Sequence, residues 1–390
     1  MPAFVPHLRR LMACGVASAT MTGLVLLGAA ATANVAATAP IGVDQLGSTG
    51  VVYDQAAALP APPAVTAAGW VVADLDTGNV LAASNPHGLY GPASTLKVLS
   101  TLVMLPVIEP TAQIMAKSAD VKVDGSKVGV VPNHLYTADQ LFTATLVVSG
   151  NDAVRVLASA LGGEDNVVSM MNAKAADLQA NDTVAKTVTG LDAPGQTTSA
   201  YDLALISRAA LDLPSFRKYV AITNTQFGGV DVAPFAISNH NLLLSHYPGT
   251  YGVKNGYTDA SRATYVGAAK QNGHNLMVTM VRADPDYRNN AEALLTWGFN
   301  AVGKARPVGT LVGPGSAGDD LSAPGSSAIT GASRHSADGA HRSGGAGLSG
   351  LEYGAIGAGG AVAVLFVGRR RQIKRRRQSR RQRRLQLPNV

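Results

Sequence analysis

The chain has 390 residues, with 32 Lys and Arg against 25 Asp and Glu, a formal net charge of +7. The excess sits at the ends: eleven basic residues and no acid lie between Arg369 and Arg384, Arg9 and Arg10 add two, and the rest of the chain carries a net charge of −6. A mildly acidic body gives no electrostatic case for nucleic-acid binding, and a single cysteine, Cys14, excludes disulfides and Cys-ligated metals from everything after it.

In chain order, residues 1–33 read as a secretory signal. His7, Arg9 and Arg10 form a short positive region, an apolar run is densest from Met21 to Ala31, and Ala31-Thr32-Ala33 offers a cleavage site. An Ala/Pro-rich linker is expected over 34–66. The folded body is expected over 67–306. It opens with strand, turn and strand: Gly69–Leu75, Asp76–Asn79 and Val80–Ala83. A helix begins around Pro92–Lys97 and turns Leu96, Leu99, Leu102 and Val103 to one side. Thr137 and Gln140 fit a capping box ahead of the apolar run Leu141–Val148. Ser149-Gly150-Asn151 interrupts that run, and a helix follows from about Asp152 to Leu161, stopped by Gly162-Gly163. Helical pattern returns at Val167–Leu178 and Ala200–Leu211. Strand-like runs return at Tyr251–Val253, Ala263–Ala269 and Leu276–Val281, and a helix covers Ala291–Phe299. Strands at both ends of the body bracket a helical middle, which predicts an α+β fold with a helical insert.

Beyond the body, 307–350 is dominated by Gly, Ala, Ser and Pro and reads as a flexible linker. Residues 351–368 include sixteen uncharged, mostly apolar positions from Tyr353 to Gly368, about 24 Å as a helix. The basic tail, 369–390, follows at once. By the positive-inside rule the pattern predicts a single C-terminal membrane helix with the tail in the cytoplasm and the body outside. The tail is also suited to anionic lipid headgroups.

Three short segments of the body carry candidate chemistry. In Ser94-Thr95-Leu96-Lys97 the three-residue spacing puts a lysine amine and a serine hydroxyl on one helix face. A serine needs a neighbouring base to attack a carbonyl, and a lysine with a depressed pKa can be that base. Burial and a second cation both depress it. The other segments are Ser149-Gly150-Asn151, between helices, and Lys254-Asn255-Gly256, in a strand-like run. Each alone is weak: Asn-Gly suits a hairpin turn, and Ser-Gly-Asn suits a helix stop with an N-cap. Their order and settings together fit the serine penicillin-recognising arrangement. No cofactor is called for, and the eight His show no metal-ligand spacing such as H-E-x-x-H.

The body resembles the D-alanyl-D-alanine carboxypeptidases of the low-molecular-mass penicillin-binding proteins. Pro92-Ala93-Ser94-Thr95-Leu96-Lys97 is similar to that family's PAST-x-K, and Ser149-Gly150-Asn151-Asp152-Ala153 to its S-x-N-D-A. Met171-Asn172-Ala173-Lys174-Ala175, Gly190-Leu191-Asp192 with Thr198–Ala204, and Gly252–Thr258 extend the likeness over roughly 67–300. The resemblance implies a β-lactamase/transpeptidase-like fold, an antiparallel sheet flanked by helices with a helical subdomain. It implies a stem peptide ending in D-Ala-D-Ala as substrate and β-lactams as inhibitors.

Carried over by that resemblance, Ser94 is the nucleophile and Lys97 its base. Ser149 passes a proton to the leaving nitrogen. Asn151 binds the substrate amide and helps hold Lys97. Lys254 attracts the terminal carboxylate, with Asn255, Gly256, Tyr257 and Thr258 lining the substrate strand. The Ser94 and Tyr257 N–H groups form an oxyanion hole, worth roughly 3 kcal/mol per donor. One position departs from the family pattern: Asn255 stands where a Thr hydroxyl usually helps bind the carboxylate. Other readings are a class A-like β-lactamase, a transpeptidase and a non-catalytic surface protein that binds stem peptides. The β-lactamase would need a Glu in an E-x-x-L-N segment, and Glu164-Asp165-Asn166-Val167-Val168 does not match it.

Overall fold

The computed structural model describes residues 44–314. The expected signal (1–33), the anchor (351–368) and the tail (369–390) lie outside them. Among the described residues no helix is long and apolar enough to cross a membrane.

The first strands are β1 (Val51–Tyr53), β2 (Gly69–Asp74) and β3 (Asn79–Ser84), followed by helix α1 (Lys97–Met104). A small hairpin, β4 (Gln113–Met115) with β5 (Leu135–Thr137), leads into α2 (Ala138–Val147), α3 (Asn151–Ala160) and α4 (Glu164–Asp177). Then come α5 (Ala200–Leu211), α6 (Pro214–Val220), the hairpin β6 (Asn224–Phe227) and β7 (Phe235–Ser238), and the short α7 (Leu243–His246). Three long strands follow, β8 (Thr250–Thr258), β9 (Arg262–Gln271) and β10 (His274–Ala283), then α8 (Tyr287–Ala301) and β11 (Gly309–Thr310).

The main sheet is antiparallel, in the order β1-β3-β2-β10-β9-β8, with β11 also on β3. Period-two alternation divides its side chains between two cores. Val71, Ala73, Met277 and Val281 face the helical region that holds α1 to α6, and Trp70, Val72, Leu276 and Val278 face α8. The sheet is thus covered on both sides, which explains why β2 is buried throughout.

Several expectations hold closely. α5 spans the predicted Ala200–Leu211. The capping box is formed: Gln140 N–H donates to Thr137 Oγ1 at 3.2 Å and Thr137 N–H to Gln140 Oε1 at 2.8 Å. Both expected linkers need correction at their inner ends. Within 34–66, β1 pairs with β3, and Pro60 accepts the buried Trp297 indole N–H at 2.8 Å. Within 307–350, β11 pairs with β3, and Leu311 is buried. The physical reason is the outer edge of β3, whose backbone groups would otherwise lack partners.

Candidate active site

Ser94 and Lys97 lie where a 3-10 turn, Ala93–Leu96, runs into α1. This turn is pinned from several sides. The Pro92 carbonyl accepts from Thr95 Oγ1 at 2.6 Å and from Thr264 Oγ1, on β9, at 2.8 Å. Gly190 packs against the Ala93 carbonyl so closely that a Cβ there would sit 1.8 Å from the oxygen, and its φ is +79°. Ala93 itself has φ +45° and Ser149 φ +59°, left-handed backbone that non-glycine residues rarely adopt. Such conformations persist only where the surroundings enforce them.

The Lys97 amine donates to Ser94 Oγ at 2.9 Å and to the Thr189 carbonyl at 2.6 Å. Its side chain is fully buried. Burial first, then the charge of Lys254, push its pKa well below the ordinary lysine value, against the opposing pull of Asp152. Lys254 is also buried, donates to the Asn255 carbonyl at 2.7 Å, and is lowered by burial to about 7. A neutral Lys97 can donate one N–H to Thr189 and use its lone pair to take the Ser94 proton.

Gly256, on β8, lies directly against the nucleophile's backbone. A Cβ at this position would meet Ser94 N at 2.5 Å and Thr95 N at 3.0 Å. The next residue, Tyr257, is exposed. Thr258 Oγ1 donates to Asp192 Oδ1 at 2.8 Å, and Ser261 Oγ donates to the same oxygen at 3.0 Å.

Ser149-Gly150-Asn151 differs in one respect from expectation. Asn151 does not hold Lys97: its Nδ2 donates to the Asp124 carbonyl at 2.7 Å, and its N–H to the Ser126 carbonyl at 2.8 Å. The backbone carbonyl of Thr189 takes the holding role. Asn151 Oδ1 and Ser149 Oγ are buried with no hydrogen-bond partner among the described residues. Buried polar atoms of this kind carry a desolvation cost unless something pairs with them.

Two features escaped the sequence reading. Asp152 is buried, and its carboxylate accepts from the Val128, Gly129 and Val130 N–H groups at 2.8–3.0 Å, fastening the preceding loop beside Asn151. The sequence signals Asp152 only as an acid at the first turn of α3 and as a letter of the S-x-N-D-A likeness, neither of which gives its partners. Glu164 is committed elsewhere: it accepts the Val188 N–H at 3.0 Å and approaches Arg155 at 3.7 Å. Among the described residues one group has metal-ligand character, His87, Asp182 and Asp202, whose ligand atoms lie within 4.8 Å of one another. His87 Nδ1 is 2.7 Å from Asp182 Oδ2, and Thr183 Oγ1 donates to Asp202 at 2.7 Å. Burial, then the charge of Asp182, raise the Asp202 pKa to about 7.

The family model for D-alanyl-D-alanine carboxypeptidases matches residues 56–284. The chain belongs to that family. It is 43% identical over 260 residues to D-alanyl-D-alanine carboxypeptidase DacB2 of Mycobacterium tuberculosis, covering 65% of this chain and 88% of that protein. It is 32% identical over 254 residues to DacD of Escherichia coli, covering 61% and 64%. Among solved structures, the D-alanyl-D-alanine carboxypeptidase of M. tuberculosis H37Rv superposes with a TM-score of 0.63 at 41% identity, covering 66% of this chain and 99% of that one. The Streptomyces K15 DD-transpeptidase superposes at 0.59 and 22% identity, covering 62% and 100%, a likeness of fold. The penicillin-binding, transpeptidase-like α+β architecture is therefore shared, and the family membership makes this chain one of the serine peptidases.

Proposed function

We propose that the chain removes the terminal D-Ala from peptidoglycan stem peptides through an acyl-enzyme on Ser94. The observation that carries this is the 2.9 Å contact between Lys97 and Ser94, with the amine buried and its pKa pushed down. Ser94 Oγ attacks the carbonyl carbon of the penultimate D-Ala as Lys97 takes its proton. The C–N bond breaks, and a proton delivered through Ser149 lets the terminal D-Ala leave as the amine. Water then attacks the ester and restores the Ser94 hydroxyl.

Asn151 Oδ1, unpaired among the described residues, is placed to accept the substrate amide N–H. The Ser94 and Tyr257 N–H groups stabilise the oxyanion, and Gly256 lets β8 come close enough for both to reach it. Lys254 supplies positive potential for the terminal carboxylate, while Asn255, Gly256, Tyr257 and Thr258 form the strand along which the peptide lies. β-Lactams, which mimic the D-Ala-D-Ala end, acylate Ser94.

The terminal charge pattern supports a location at the cell surface. Residues 1–33 direct export, 351–368 anchor the chain in the membrane, and 369–390 remain in the cytoplasm. The outer parts of 34–66 and 307–350 link these parts to the catalytic domain of 67–306 and its flanking strands.

The test is D-Ala release from a peptide ending in D-Ala-D-Ala, with fluorescent-penicillin labelling alongside. Wild type is expected to show both, and Ser94→Ala neither. Labelling without D-Ala release would remove the carboxypeptidase reading in favour of a transpeptidase or a binding protein. Persistent labelling of Ser94→Ala would remove the nucleophile.

A further inference from the structure

Residues 189–192 touch three parts of the site in succession. The Thr189 carbonyl holds the Lys97 amine at 2.6 Å. Gly190 packs on the Ala93 carbonyl, in the turn that carries Ser94. Asp192 Oδ1 accepts from Thr258 Oγ1 at 2.8 Å and from Ser261 Oγ at 3.0 Å, the first at the end of β8 and the second just before β9. The segment is stiffened by its own bonds. Gln196 is buried, accepts the Lys186 and Thr187 N–H groups at 3.1 and 3.0 Å, and donates to the Leu191 carbonyl at 2.8 Å. Thr187 Oγ1 accepts the Gly190 N–H at 3.0 Å.

β8 needs support at this end. It is the last strand of the main sheet, so β9 alone pairs with it, and the pairing stops at Thr258 with Arg262. Tyr257, whose N–H is the second oxyanion donor in the function proposed above, lies one residue earlier. A strand end paired on one side frays unless something else ties it. Thr258 and Ser261 are tied together, because the Thr258 hydroxyl accepts the Ser261 N–H at 3.0 Å while it donates to Asp192. Ser261 Oγ also packs against Gly91, three residues before Ser94, where a Cβ would lie 2.2 Å from it. The two segments that bear the oxyanion donors thus meet beside the Asp192 carboxylate.

We infer that Asp192 is a positioning residue: it sets the reach of the Tyr257 N–H toward the oxyanion by holding Thr258 and Ser261 to the loop that also holds Lys97. The inference rests on the function proposed above. An oxyanion donor is effective at about 2.7–3.1 Å from the developing charge, so a small displacement of the strand end weakens it. Asp192 acts through the strand and not on the reacting atoms. Its side chain is exposed, so removing it leaves the core intact.

The experiment uses the full chain and reads two quantities: the rate of acylation by a penicillin in stopped flow, and hydrogen exchange at 257–261. Asp192→Ala is expected to slow acylation about 10–100-fold, the scale of misplacing a group by up to about 1 Å, and to quicken exchange at 257–261. The melting temperature should fall by no more than about 4 °C. Asp192→Asn keeps a carbonyl oxygen that accepts from both hydroxyls, and it should stay within about threefold of wild type. In a chain already carrying Thr258→Val and Ser261→Ala, which lacks both donors, adding Asp192→Ala should change acylation by less than about twofold. Three results overturn the inference: unchanged acylation or exchange in Asp192→Ala, an Asn variant as slow as the Ala variant, or a full Asp192→Ala effect in the chain without the two hydroxyls. A wild type that penicillin does not acylate sinks the function proposed above, and exchange at 257–261 still decides whether Asp192 holds the strand.

Discussion

Lys97 and Lys254 are two buried amines, and the charge of Lys254 adds to burial in lowering the hold of Lys97 on its proton. Their hydrogen-bond partners among the described residues are a hydroxyl and two carbonyls, none of them charged. Asp152, the acid that acts on Lys97, has its oxygens engaged by backbone N–H groups of the 128–130 loop. Lys97 is the amine that both burial and a neighbouring cation disfavour as a charge, which suits it to act as the neutral base.

Replacing Lys97 with Arg removes the neutral form, because a guanidinium keeps its proton at any working pH. The expected result is a fall of about 10²–10⁴ in the rate of Ser94 acylation by a penicillin, the usual range for losing a general base. Stopped-flow acylation, with thermal denaturation to confirm folding, measures it. A loss under tenfold would mean that another group takes the Ser94 proton.

The pair also sets the pH profile. Lys97 must be neutral and Lys254 charged. The Lys254 pKa of about 7 places the start of the alkaline fall in kcat/KM near neutrality. Lys254→Arg, which retains charge, should move that fall to higher pH while leaving the acid limb in place. An alkaline limb that does not move would detach it from Lys254.

Gly256→Ala sets a methyl group against the Ser94 and Thr95 amide nitrogens, which cannot retreat without shifting the pinned 3-10 turn. Overpacking of this kind costs about 1–3 kcal/mol. The melting temperature should fall accordingly, and acylation should drop further than stability does, since the oxyanion donors move apart. Unchanged acylation in the folded variant would show that β8 need not approach Ser94 so closely.

Asp152→Ala leaves the N–H groups of Val128, Gly129 and Val130 without their acceptor. At roughly 1 kcal/mol or more for each, the loss is about 3 kcal/mol or greater. Chemical denaturation should report it, and hydrogen exchange should quicken in 126–130 before the rest of the domain. Even protection across the domain would argue against a local clamp.

Much of this was legible in the sequence because it is periodic or punctuated. α5 carries strong helical pattern and a Ser199 cap, and its limits match expectation. The hairpins β4/β5 and β6/β7 were not legible, since strands of three or four residues are too short to display alternation. β1 was hidden by Ala and Pro around it, although the outer edge of β3 makes Val51–Tyr53 a strand. At the site, Ser94 and Lys97 could be paired from spacing alone. The Thr189 and Asp124 carbonyls could not be found that way, because every residue has a carbonyl and only the fold selects one. Hence Asn151 was given a hold on Lys97 that the backbone provides.

The two outer strands β1 and β11 share one neighbour, β3, at the edge of the sheet opposite β8. At about 4.8 Å between strands, four steps separate β3 from β8, or about 19 Å. The first and last strands of the described residues thus meet the sheet on the side away from the Ser94 border, so the chain enters and leaves the domain without crossing the mouth of the site.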